Sequence, residues 1–190
     1  MEEIKRVTKE TDITVKLDIN GTGKADISTG IGFFDHMLEA FAKHSLIDLT
    51  LTCTGDTHID FHHSVEDIGI VLGQALRAAI YPVVSVERYG NAVVVMDEAA
   101  VECALDLSNR PYLVYEIAMD GKVGEFDVEL AEEFFRAMIM NASITAHIVA
   151  LRGKNKHHLL EAAFKSFAVA LRRSLARNDR LGIPSTKGIL

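Results

Sequence analysis

His62-His63-Ser64-Val65-Glu66 and His157-His158-Leu159-Leu160-Glu161 are two copies of one pattern, HHxxE, and they decide how the chain is read. Each copy opens a run with apolar residues at helical spacing. In 64–80 these are Ile68, Val71, Leu72, Ala75, Leu76 and Ala79, with Pro82 just past the end. In 156–176 they are Leu159, Leu160, Ala163, Phe164, Phe167, Ala168 and Leu171. Upstream of the first copy, 12–19 and 24–29 read as strands around the turn Asn20-Gly21-Thr22-Gly23, 31–43 as a helix and 46–53 as a strand. Upstream of the second, 91–96, 100–107 and 112–118 read as strands, 128–142 as a helix and 144–151 as a strand. Both halves therefore run strands, helix, strand, helix. A second echo sets Phe33-Phe34-Asp35-His36-Met37-Leu38 beside Phe134-Phe135-Arg136-Ala137-Met138-Ile139. The pattern predicts an α+β protein built from two duplicated half-domains, 1–90 and 91–190, related by an approximate two-fold axis. Each half is expected to be a mixed sheet with two helices on one face.

Composition agrees with a packed core. Of 190 residues, 48% are hydrophobic and 25% charged, which excludes a disordered chain or a fibrous rod. The two cysteines, Cys53 and Cys103, lie in apolar strand-like stretches; they exclude a disulfide framework and read as buried thiols of a reducing compartment. MEEIKRVTKE lacks the apolar segment of a secretory signal, and no apolar run approaches the roughly 20 residues of a membrane span. A soluble cytoplasmic protein without a membrane partner is expected. The net charge of −7 is uneven, because 150–190 carries nine Lys/Arg against only Glu161 and Asp179. A basic end on an acidic chain suits an anionic ligand or a complementary subunit. Nucleic acid is not expected, since no aromatic residues interleave with the basic ones.

The eight histidines cluster: His36, His44, His58, His62 and His63 in one window, His147, His157 and His158 in another. On a helix the first His and the Glu of HHxxE are four apart and share a face. The second His points about 100° away, so the adjacent rings suit two different ions, or an ion and a neighbouring subunit. A nitrogen and oxygen ligand set without thiolates suits Mn, Fe or Zn. His36, beside Asp35, is a further ligand candidate. Spacing alone leaves His147 as either a ligand or a hydrogen-bonded sheet histidine. HHxxE is not the HExxH of metalloproteases, and no GxSxG, CxxC, P-loop or GxGxxG occurs. Anion-binding candidates are Arg88, Arg110 and the tail Pro184-Ser185-Thr186-Lys187-Gly188. Glu10 reads as a base or as a charged edge residue.

GIGFFDHML (30–38), GDTHIDFHHSVEDIGIVLG (55–73), ERYG (87–90), DLSNRPYL (106–113), LRGKNKHHLLEAAFKSFAVALR (151–172) and PSTKG (184–188) together resemble the imidazoleglycerol-phosphate dehydratase family of histidine biosynthesis over nearly the whole chain. One departure is Glu39-Ala40, where the family often has Gln. The resemblance implies the ribosomal-protein-S5-domain-2-like fold and a homo-oligomer, a 24-mer with sites between subunits. It implies a manganese-dependent hydro-lyase with two Mn²⁺ per active site. The implied metal ligands are His36, His62, His63, Glu66, His147, His157, His158 and Glu161, with His36, Glu66 and Glu161 also counted as catalytic. Arg88, Arg110, Lys165, Ser185 and Lys187 would hold the phosphate of a phosphorylated imidazole substrate, and Glu10 would contact substrate and move a proton. The carbon-bound proton lost has no carbonyl neighbour, so the elimination needs the imidazole ring polarised by flanking ions.

Overall fold

The computed structural model describes residues 1–190. In the first half, β1 (Glu2–Val7), β2 (Thr11–Asp18) and β3 (Ala25–Ser28) precede α1 (Gly32–Ser45), β4 (Asp48–Gly55) and α2 (His62–Ile80). In the second, β5 (Tyr89–Met96), β6 (Ala99–Asp106) and β7 (Tyr112–Glu116) are followed by a small hairpin of β8 (Lys122–Val123) and β9 (Phe126–Asp127). Then come α3 (Glu129–Ala142), β10 (Thr145–Arg152) and α4 (Lys156–Ser174). The first sheet has the order β1-β2-β4-β3 and the second β5-β6-β10-β7. In each the last-named pair is parallel and the other two are antiparallel. Identical order and polarity in both sheets is the duplication that the two motifs announced.

Local detail repeats as well. α1 and α3 both end in a left-handed residue that is not glycine, Leu46 (φ 62) and Ser143 (φ 56). In both motifs a side-chain oxygen two residues ahead accepts the amide of the first histidine, though only Asn155 is the N-cap residue of its helix. Asp60 accepts the His62 amide at 2.8 Å, and Asn155 accepts those of His157 and His158 at 2.9 and 3.3 Å. The phenylalanine echo is one helical turn out of step: Phe33 is the second residue of α1, whereas Phe134 is the sixth of α3. Its rings converge nonetheless, because Phe34, Phe134, Phe135 and Phe164 form one buried cluster with centroids 4.7–5.3 Å apart in successive contacts.

Each sheet carries its helices on one face, and helices of one half pack on those of the other, α1 against α4 and α2 against α3. The α2–α3 approach requires glycine. A Cβ on Gly73 would sit 2.4 Å from the Met138 carbonyl oxygen and 2.8 Å from the Asn141 Cβ. A single buried cluster runs through both halves. Cys53 and Cys103 are buried and unpaired, and burial pushes the Cys53 thiol up to about 11, leaving it unreactive at neutral pH. No helix is long and apolar enough to cross a membrane.

Candidate metal and anion site

The first turn of each motif helix places His and Glu as the spacing predicts. His157 Nε2 lies 3.0 Å from Glu161 Oε2, and His62 Nε2 lies 3.8 Å from Glu66 Oε2. The second histidines turn away, with ring planes at 87° for His62 and His63 and at 80° for His157 and His158. Each then meets a carboxylate that sequence spacing did not reveal. His63 Nδ1 is 2.9 Å from Asp56 Oδ2, and His158 Nδ1 is 2.8 Å from Glu98 Oε2. A carboxylate on Nδ1 holds the proton there and leaves Nε2 free as an acceptor, the arrangement of a metal-binding histidine.

Packing of α1 on α4 brings His36 to the second motif. Its Nε2 lies 3.6 Å from Glu161 Oε2, and the ligand atoms of His36, His157 and Glu161 all fall within 4.8 Å of one another. Two side chains steady this cluster. Asp35 accepts the Thr29 amide and hydroxyl, pinning the loop ahead of His36. Phe33 meets the His157 ring edge-on at 5.2 Å. Glu161 is buried, which alone would raise its pKa. Lys165 Nζ at 2.6 Å, with His157 and His36, outweighs burial and holds it below the usual glutamate value. The cluster therefore offers two imidazoles and an ionised carboxylate, a donor set that fits a divalent cation of the manganese, iron or zinc kind.

The remaining expected ligands stay apart within one chain. His62 and Glu66 are about half exposed and gain no third ligand. His147 stands exposed on β10, between Ala104 of β6 and Val114 of β7. Four of the five expected phosphate residues meet in one cleft of about 400 Å³: Arg88, Arg110, Ser185 and Lys187. Lys165 is the exception, being ion-paired to Glu161. Glu10, exposed in the β1–β2 turn, lies on the side of the first motif, and its charge helps raise the His63 pKa after the larger effect of Asp56.

Glu98 gives this site a measurable acid response. It accepts the amides of Asn155 and Lys154 at 2.8 and 3.1 Å and pairs with His158. The Asn155 amide, then His158 and the Lys154 amide, bring its pKa from 4.5 to about 2. A depressed carboxylate pKa stabilises the fold fully above the unfolded value, and the contribution is lost as pH falls through the folded one. In the metal-free protein, the melting-temperature difference between wild type and Glu98→Gln is expected to shrink as pH falls from about 4.5 to about 2. A difference constant across that window would show that Glu98 is not so held.

Residues 29–171 match the family model described as imidazoleglycerol-phosphate dehydratase. The dehydratase of that name from Aliarcobacter butzleri is 69% identical over 190 residues, all of both chains. That of Campylobacter hominis is 70% identical over 185 residues, 97% of each chain. Among solved structures, the dehydratase of Pyrococcus furiosus, in complex with (S)-C348, superposes with a TM-score of 0.85 at 40% identity, over 98% of this chain and 100% of that one. The Staphylococcus aureus enzyme does so at 0.82 and 40%, over 93% and 98%.

Proposed function

The chain belongs to the imidazoleglycerol-phosphate dehydratase family, a hydro-lyase family of histidine biosynthesis, and we propose that it performs this elimination with Mn²⁺ at sites shared between copies of itself. The observation that carries the shared site is the division of the ligand set. His36, His157 and Glu161 converge, whereas His62 with Glu66, and His147, stand open to solvent. His147 lies on the outer face of the second sheet, which exposes Val93, Val95, Tyr112 and Leu151 beside the polar Asn91, Glu102 and Glu116. The same face of the first sheet is polar, with Lys5, Asp12, Lys16 and Glu3 in ion pairs across β1 and β2. A face that exposes several large apolar side chains beside a metal-type ligand supports burial against a second copy of the chain, toward the 24-mer. The two half-domains, expected as 1–90 and 91–190 and divided in the structure just ahead of β5 at Tyr89, then act as one unit, in the cytoplasm.

In this reading His36, His157 and Glu161 would hold one Mn²⁺, and His62, Glu66 and the outward histidines His63, His158 and His147 would complete the paired sites across subunits. Mn²⁺ bound by these residues would supply Lewis acidity toward the imidazole ring of the substrate. Asp56 and Glu98 fix the His63 and His158 tautomers. Lys165 keeps Glu161 ionised and oriented. Arg110, Ser185, Lys187 and the free donors of Arg88 bind phosphate in the cleft they line. Glu10 moves a proton beside the first motif.

Chelation followed by Mn²⁺ addition tests the whole reading. Dehydration of imidazole glycerol phosphate is expected to vanish in chelator and return with Mn²⁺, while scattering mass rises with the metal. Activity indifferent to chelator would sink the metal role, and a mass independent of Mn²⁺ would sink the shared site.

A further inference from the structure

Asp67 follows Glu66 in α2 and is buried. Its Oδ2 accepts the Thr11 hydroxyl at 2.5 Å, and its Oδ1 pairs with Arg6 Nη2 at 3.0 Å. Thr8 closes the other side of the β1–β2 turn, its Oγ1 accepting the amides of Glu10 at 3.1 Å and Thr11 at 3.0 Å. From the loop before α2, the Asp56 amide donates to the Glu10 carbonyl at 3.1 Å, while the Asp56 carboxylate holds His63. The backbone of Glu10 is thereby fixed to the turn of α2 that carries His62, His63 and Glu66.

The duplicated half does without this network. After the motif glutamate, α4 has Ala162, fully buried in the apolar core, and β6 opens with Ala99 and Ala100 where β2 opens with Thr11. The repeat therefore folds with apolar residues here, and a buried carboxylate carries a desolvation cost that those residues avoid. The buried Asp67–Thr11 pair stands only in the half that bears Glu10; in the other half the equivalent β5–β6 turn is fastened to its motif helix by Glu98, through the Lys154 and Asn155 amides and His158.

We propose that Asp67, acting through Thr11, is a positioning residue for the dehydration: it holds the Glu10 turn against the histidine-bearing turn of α2. This rests on the proton-transfer role of Glu10 given above. Glu10 is exposed and takes its aim from its backbone, and a misplacement of about 1 Å at a reacting group costs on the order of a hundredfold in rate.

Thr11→Val, Thr11→Ser, Glu10→Gln and the double variant Thr11→Val/Glu10→Gln, each as the assembled Mn²⁺-loaded enzyme, provide the test through kcat, KM and metal content. Thr11→Val is expected to lower kcat about tenfold, with KM and metal content unchanged. Thr11→Ser, which keeps the hydroxyl, should retain the wild-type kcat. Glu10→Gln should cost more than Thr11→Val, and the double variant should match Glu10→Gln alone, because Thr11 acts only through Glu10. A normal kcat in Thr11→Val beside an impaired Glu10→Gln overturns the tether alone, as does a fully additive double variant or a Thr11→Ser as slow as Thr11→Val. A normal kcat in Glu10→Gln overturns the role of Glu10 itself and the tether with it.

Discussion

His157→Ala is expected to abolish Mn²⁺ binding at the cluster proposed to hold it and to lower kcat by about a thousandfold, with the fold intact. Lewis-acid polarisation contributes several kcal/mol to a barrier, and each 1.36 kcal/mol is tenfold in rate, so about 4 kcal/mol corresponds to a thousandfold. His157 supplies one of only three converging ligand atoms, and losing it leaves His36 and Glu161 too few to hold an ion. Its ring is 39% exposed, so little core packing goes with it. Glu161→Gln should release the same ion at higher structural cost. The glutamate side chain is 8% exposed, and its loss of charge strands Lys165 beside a neutral amide. Metal content after dialysis, read beside circular dichroism, separates the two effects. His157→Ala with full metal content and a lowered rate would move His157 from ligand to another role.

Legibility tracked the range of the interaction. Pairing of His with Glu four residues on, and the divergence of adjacent histidines, follow from helix geometry alone, and both were readable. The strand and helix order was readable because buried strands alternate and buried helices keep their period; β2, for instance, alternates buried and exposed over Thr11–Asp18. β1 escaped notice because an edge strand reading EEIKRV buries little and puts charge on both faces. The hairpin β8–β9 has two residues per strand, too few for any period. Asp56 and Glu98 escaped for another reason. They reach their histidines across 7 and 60 residues, and an acidic residue in a loop carries no local mark of its partner. The joining of His36 to the second motif rather than the first depends on α1 crossing onto α4 of the other half, a packing decision no local pattern encodes.

Arg88→Ala is expected to damage both stability and substrate binding, because one guanidinium both ties the fold together and lines the cleft proposed to take phosphate. It is a buried fork, with Nε 2.7 Å from Asp106 Oδ1 and Nη2 3.1 Å from Oδ2. Nη1 donates to the Pro184 carbonyl at 2.7 Å, so the same group fastens the tail that brings Ser185 and Lys187 into the cleft. Pairing with Asp106 outweighs burial and raises the arginine pKa, so the charge is permanent. Three of five N–H groups are engaged, which leaves two for a phosphate. Removing one member of a buried pair costs about 3 kcal/mol, or roughly 6–12 °C in melting temperature for a chain of this length. KM should rise about a hundredfold as a charged contact is lost and the tail is released. Arg88→Lys separates the parts. A lysine keeps the charge but cannot bridge Asp106 and Pro184 together, so it should recover some phosphate affinity while the tail stays loose. Limited proteolysis at Lys187 reports the tail. If Arg88→Ala left Lys187 as protected as in wild type and KM unchanged, the arginine would be no more than a support for Asp106, and the anion site would rest on Arg110, Ser185 and Lys187 alone.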